Sequence, residues 1–326
     1  MIRRREFITL LGGAAAWPIA ARAQEGKRVR RVGVLASFPE SDPELQLRLA
    51  AFRDALHRQG WQIGSNLQID YRWDISTDER ARAGTTELMN LEPDLIFANA
   101  AVALRAAQHA THTIPIVFTM IADPVGQSFI DSLPHPGGNT TGFSSFDLSV
   151  GGKWLDLLND IVPGAFIFNP QRGPYSAAIS TFGEKAAEKH AVQYVAKPVL
   201  DPADIEPVMR TLAREPGGAV IVSPDQFTAT HRKLIVNSAN NNGLPAMYGV
   251  RDFIGDGGLA SYGTDFVDQF RQAASYVDRI LRGENPASLP VQQPIKFEFV
   301  INLQTARALG IGVPNSIQLL ADEVIE

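Results

Sequence analysis

The sequence predicts an α/β protein of two similar lobes, each a parallel sheet covered by helices on both faces. Three observations carry that reading. Short β-branched runs alternate with helical stretches at the spacing of βαβ units. A segment of the first half is matched, element for element, by one in the second half. And about 300 residues follow a leader-like start, more than a single hydrophobic core usually serves.

The elements follow in order from Val29. "RRVGVLASF" is a buried strand, and "PELQLRLAAFRDALHRQG" is a helix with Leu45, Leu49, Phe52 and Leu56 on one face and Gly60 at its end. Strand "LQIDYRW", helix "DERARAGTTELMNL", strand "PDLIFA", helix "AVALRAAQHAT" and strand "IPIVFTM" continue the alternation. The second half repeats the scheme. "PDLIFANAAVALRAAQHATHTIPIVFT" and "GAVIVSPDQFTATHRKLIVNSANNNGLPAMYG" share the order strand, loop, helix, strand, with Pro115 and Pro245 in equivalent places. This reads as two similar α/β lobes and not as a short-period repeat array, the alternative being that any two βαβ units share this order. Gly137, Gly138 and Gly142 in and beside "GNTTGFSS" loosen the chain at the expected junction. A late helix, "DFVDQFRQAASYVDRILRG", is followed by the Pro-rich "ENPASLPVQQP" and then "IKFEFVINL", so the chain is expected to pass between lobes more than once.

The chain opens with "MIRRREFITLLGGAAAWPIAARAQ". Arg4-Arg5, a mild apolar run and Ala21-Arg22-Ala23 read as a twin-arginine export leader cleaved near Ala23, although a general-secretion leader has the same three-part shape. The apolar run falls short of the ~20 residues a membrane span needs. Loss of residues 1–23 removes four Arg and one Glu and takes the net charge from −5 to −8. Such an acidic, mixed-sign surface argues against nucleic acid or anionic membrane as partner. The absence of cysteine removes disulfides, thiolate metal sites and thiol nucleophiles. A soluble protein of the exported compartment is expected.

In open parallel sheets, ligands sit beyond the carboxyl ends of the strands, where helix N-termini expose unpaired N–H groups. The loops at that end are Ala36–Phe38, Ala98–Ala101, Thr119-Met120, Ser223–Asp225 and Tyr248–Arg251. They offer hydroxyls, an amide, aromatic faces, a carboxylate and a guanidinium, without a nucleophile–base pair. His109 and His112 share a helix face but have no third ligand beside them. "GGKW" at 151–154 lacks the spacing of a phosphate loop, and "GDGGLA" at 255–260 precedes a strand where a dinucleotide fingerprint would follow one. Asp123 in "DPVG" caps a helix or meets a ligand. No G-x-S-x-G elbow occurs. No catalytic residue, metal or cofactor is expected.

The run "IPIVFTMIADPVGQSFIDSLPHPGGNTTGFSS", then "GGKWLDLLNDIVPG", "FNP", "PVQQPIKFEFVINLQTARALGI" and the terminal "ADEVIE" closely resemble the TrpX-like family of ABC-transporter substrate-binding proteins over nearly the whole chain after the leader. The resemblance implies a type I periplasmic-binding fold: two Rossmann-like lobes with parallel sheets, joined by a three-crossover hinge that closes on a ligand. Residues 1–23 are then the leader, 29–143 with about 264–290 form lobe 1, and 144–263 with about 291–326 form lobe 2. It further implies a periplasmic monomer that delivers a small solute to an inner-membrane ABC permease and ATPase, with no catalysis. The expected solute is an aromatic amino acid or a related organic carboxylate. A sensory protein feeding a membrane receptor and an exported α/β hydrolase are the alternatives.

Site residues carry over from the resemblance by position. In lobe 1 they are Ser37, Phe38, Asn99, Ala100, Ala101, Thr119 and, at the first hinge, Ser144. In lobe 2 they are Asn169, Tyr175, Asp225, Phe227, Tyr248, Arg251 and Tyr262. Arg251 is expected to fork a carboxylate, and Tyr175, Tyr248 and Tyr262 to sandwich a ring. Two departures stand out. Ala101 and Val102 replace the Thr-Pro common in amino-acid-binding members, and only Ala165-Phe166-Ile167 separate Gly164 from Phe168, which clips the first strand of lobe 2 to about four residues.

Overall fold

The computed structural model describes residues 28–145, 149–159, 165–168, 175–199, 201–215 and 217–326; the leader at 1–23 and Asn169 lie outside the described residues. Strands β1 (Arg30–Leu35), β2 (Leu67–Arg72), β3 (Leu95–Asn99), β4 (Ile116–Ile121) and β5 (Thr140–Ser144) form a first sheet in the order β2-β1-β3-β4-β5, parallel throughout. β3 is buried at every position, as strands covered on both faces are. Helices α1 (Pro43–Arg58), α2 (Asp78–Met89) and α3 (Ala101–Ala110) connect the strands. The Asp42 carboxylate caps α1 by accepting from the Leu45 N–H at 2.9 Å, and Pro43, which has no N–H to satisfy, fills the first turn.

The second sheet holds β6 (Ala165–Phe168), β7 (Ala196–Pro198), β8 (Val220–Val222), β9 (Ala246–Tyr248), β10 (Ala260–Thr264), β11 (Phe297–Asn302) and β12 (Glu323–Ile325), in the order β12-β11-β10-β9-β8-β6-β7. Around it lie α4 (Val150–Asn159), α5 (Tyr175–His190), α6 (Ile205–Leu212), α7 (Gln226–Thr230), α8 (Arg232–Asn241) and α9 (Asp252–Gly255). Then α10 (Phe266–Leu281) returns to pack on α1 and the first sheet, while α11 (Leu303–Ala308) and α12 (Asn315–Gln318) follow β11. The short β6 keeps a parallel partner on each side, with Phe166 opposite both Ala196 and Ile221.

The expected α/β class with two parallel-dominated sheets is borne out, with one departure. β11 runs antiparallel to β10, with Tyr262 opposite Phe299. β10 ends where the chain leaves for α10, and β11 begins where the chain comes back. Adjacent strands that leave and re-enter a sheet at one end must run in opposite directions. The two backbones around β10 also approach closely: a Cβ on Gly263 would stand 2.0 Å from the Gly249 carbonyl oxygen, so a side chain at 263 has no room.

In the first unit, the Phe97 ring of β3 stacks on Phe52 of α1 at 4.7 Å and meets Phe270 of α10 edge-on at 5.4 Å. In the second, Trp154 of α4 is buried and donates its indole N–H to the Tyr262 carbonyl at 2.5 Å. The segments passing between the sheets are tied to one another. Thr264 donates its hydroxyl to the Ser145 carbonyl, Gln269 donates to the Ser144 carbonyl at 2.8 Å, and the Lys296 ammonium meets the Asp265 carboxylate at 2.7 Å.

Asp265 gives this junction a pH dependence. Burial raises its carboxyl pKa, but the bond from Lys296 and the cap bond from the Asp268 N–H outweigh burial and hold it below the ordinary 3.8. A depressed carboxyl contributes stability that is present above the unfolded value, about pH 4, and is lost as pH falls through the folded one. Asp265→Asn keeps a capping oxygen and loses the charge. Its melting temperature is expected to lie below wild type at neutral pH and to converge with it in acid; an equal gap at pH 7 and in strong acid contradicts the assignment.

Candidate functional site

A cavity of about 400 Å³ lies between the two sheets, within the ~300–1,000 Å³ of small-molecule sites. From the first unit it is lined by Phe38 after β1, Asp78 at the start of α2, Ala100, Ala101, Val102 and Arg105 at the start of α3, and Met120 and Ala122 in and after β4. From the second come Tyr175, Pro224, Asp225, Gln226 and Ala229, then Val250, Asp252 and Phe253 after β9. Ser145 and Phe266, at two of the crossings, complete the wall with Gln127. Most of these positions follow the carboxyl ends of parallel strands, where such sheets bind ligands.

The first-unit wall is built under backbone constraint. Ala100 and Met120 both have positive φ, +74° and +59°, which costs a non-glycine residue about 1–3 kcal/mol and is found most often at functional sites. Gln269 of α10 secures Met120 by accepting its N–H at 3.0 Å. Ser37 donates to the Asn99 carbonyl and so locks the loops after β1 and β3 together. Ala100 gives α3 no side-chain cap, so that the positive end of the helix dipole, with its unpaired N–H groups, stands at the cavity edge.

In the second-unit wall, Asp225 accepts from the Thr228 N–H at 2.7 Å and caps α7. Tyr175 donates to the Pro224 carbonyl at 2.8 Å, and burial, with the Asp225 charge next, pushes its phenol far above the ordinary value. The Tyr175 ring is thus neutral and tethered at its hydroxyl. Two ion-pair systems join the units beside the cavity. Arg48 of α1, only 2% exposed, pairs with Asp252 and lies over the Phe266 ring at 5.2 Å. Arg232 of α8 bridges Asp42 of the first unit at 2.9 Å and Asp256 of the second at 2.7 Å. Next to them, burial and then the Asp252 charge raise the Glu44 carboxyl above its ordinary value.

A family model described as ABC transporter substrate binding protein matches residues 32–325. The chain belongs to that family. It is a substrate-binding protein and not an enzyme. A tyrosine-binding protein of Clostridioides difficile (strain R20291) is 25% identical over 291 residues, 88% of this chain and 83% of the relative. Among solved structures, a conserved domain protein from Vibrio cholerae O1 biovar El Tor superposes with a TM-score of 0.81 at 27% identity, covering 91% of this chain and 100% of that one. An ABC domain from Streptococcus pneumoniae in complex with L-Trp has the same TM-score at 24% identity, covering 91% and 99%. The type I periplasmic-binding fold is shared with these neighbours.

Of the residues expected to form the site of this substrate-binding protein, the structure brings Phe38, Ala100, Ala101, Tyr175 and Asp225 to the cavity. Ser37 faces a second, more open space beside it, also walled by Phe38 and Arg232. The other described ones are placed elsewhere. Asn99, Thr119 and Ser144 are buried beneath the wall, and Asn99 donates to the Met120 sulfur at 3.4 Å. Phe227 turns to the second core and meets His231 edge-on at 4.8 Å.

Tyr248 is fully buried and stacks on Phe253 at 4.6 Å, because the last residue of β9 points into the helix layer. Tyr262 stacks on Phe297 at 5.7 Å, across the antiparallel pair. Arg251 forks Glu298 and Glu323 of β11 and β12 instead of facing the cavity. Sequence reasoning passed over Arg105, Asp252, Phe253 and Phe266. For Arg105 a signal existed: it stands four residues after Ala101, on the same helix face as the loop.

Proposed function

We propose that the chain is the solute receptor of an ABC importer and that it binds an aromatic amino acid or a related aromatic carboxylate in the cavity between the two sheets. The observation that carries this is the cavity wall itself. Phe38, Tyr175 and Phe266 offer aromatic surface from both units, and the uncapped start of α3 offers N–H groups to an anion at the same wall. The relative described as tyrosine-binding and the neighbour solved with L-Trp support the same chemical class.

The receptor works as a monomer outside the cytoplasmic membrane, after removal of residues 1–23. Lobe 1 is 29–143 with about 264–290, and lobe 2 is 144–263 with about 291–326. The lobes hinge at the tied crossings, ligand contacts from both favour the closed form, and the permease and its ATPase respond to that form.

A thermal-shift screen of mature protein, stripped of solute by unfolding and refolding, tests the reading. Aromatic amino acids, benzoates, other aromatic acids and branched-chain amino acids form the panel. Stabilisation by several degrees is expected for an aromatic carboxylate, since a ligand at 100 times its Kd adds about 2.7 kcal/mol. Stabilisation by branched-chain amino acids alone, or by no member of the panel, contradicts it.

A further inference from the structure

We propose that Arg105 anchors the ligand carboxylate and thereby sets the specificity of the cavity, an inference that rests on the proposed receptor function. Arg105 projects from the second turn of α3 into the cavity wall, on the same face as Ala101. Its guanidinium lies over the Phe129 ring, 5.5 Å from the centroid, which fixes the plane of the fork while leaving its N–H groups available.

The other arginines near the space between the sheets are committed: Arg48 to Asp252, Arg232 to Asp42 and Asp256, Arg251 to Glu298 and Glu323. Arg105 alone of these four makes no ion pair among the described residues, and Asp78, on the same wall, makes none with it. A planar, always-charged fork beside the uncapped first turn of α3 matches a carboxylate that accepts two parallel hydrogen bonds. The ligand class is therefore a carboxylate whose aromatic body rests on Phe266, and the equivalent amine is disfavoured because its positive charge would face the guanidinium and the positive end of α3.

The test is calorimetric titration of wild type, Arg105→Gln and Arg105→Lys with L-tryptophan, L-tyrosine, phenylacetate and 4-hydroxybenzoate, and with tryptamine and tyramine. Wild type is expected to bind at least one carboxylate and to bind the decarboxylated amines at least about tenfold more weakly. Arg105→Gln should lose at least about tenfold for that carboxylate, Arg105→Lys should lose less, and because Arg105 is exposed on a helix surface the ligand-free melting temperature should not move. Undiminished carboxylate binding by Arg105→Gln overturns the anchor and leaves the receptor function standing. Equal binding of tryptamine and tryptophan by wild type does the same. Binding of no carboxylate by wild type overturns the anchor and the receptor function together.

Discussion

Arg48→Met is expected to weaken ligand binding by about 100-fold or more and to widen the molecule in solution. Arg48 and Asp252 are 2% and 6% exposed, and they come from different units. Removing the arginine leaves the Asp252 carboxylate buried without its counter-charge, which costs about 3–5 kcal/mol. On the proposed hinge motion that cost falls on the closed form alone, because opening the units would return Asp252 to water. With tenfold per 1.4 kcal/mol, the shift corresponds to about two to three and a half decades in apparent affinity.

The pair is not for that reason a source of net stability: two charges brought out of water roughly break even with apolar groups of similar size. The double variant Arg48→Met/Asp252→Leu is accordingly expected to recover most of the compactness that Arg48→Met loses. Small-angle scattering with saturating ligand measures both. A radius of gyration unchanged in Arg48→Met, together with wild-type affinity, would show that the pair has no part in closure.

Phe97→Ala is expected to destabilise the fold by about 3–5 kcal/mol. The ring is fully buried between Phe52 and Phe270, so its loss opens a cavity among three elements, α1, β3 and α10. Since α10 is the segment that returns to the first sheet between two crossings, the loss also loosens the junction. Urea unfolding followed by circular dichroism reads the change as a lower midpoint. A loss below about 1 kcal/mol would mean that the three elements repack around the gap.

What the sequence conveyed of the fold was the part governed by local pattern. "VGVLA", "LIFA" and "IVFTMI", with Thr119 its one polar residue, are apolar runs of strand length, and Leu45, Leu49, Phe52 and Leu56 mark one helix face, so the parallel layers were legible. The antiparallel β10–β11 pair was not, because it depends on where the chain returns after α10 and not on any residue within either strand.

The same division holds for the site. Phe38, Ala100, Ala101 and Asp225 lie in loops at the carboxyl ends of strands, where position points to them, and Tyr175 came through the family resemblance. Tyr248 and Arg251 also follow a strand end, but their directions are set by distant partners. Phe253 takes the tyrosine ring, and Glu298 and Glu323, 47 and 72 residues along the chain, take the guanidinium. Arg105 was missed for the converse reason: it sits inside a helix, and its one signal in the sequence is the four-residue spacing that puts it on the face of the Ala101 loop.

The central claim is that a small aromatic carboxylate sits between the two sheets and is held by both. A crystal structure of the mature protein with the most stabilising aromatic carboxylate tests it most directly. One ligand is expected in the cavity, its carboxylate within hydrogen-bond distance of the Arg105 guanidinium and the first turn of α3, and its ring against Phe266. A ligand bound outside that cavity, or within it with the carboxylate turned away from α3, would contradict the account.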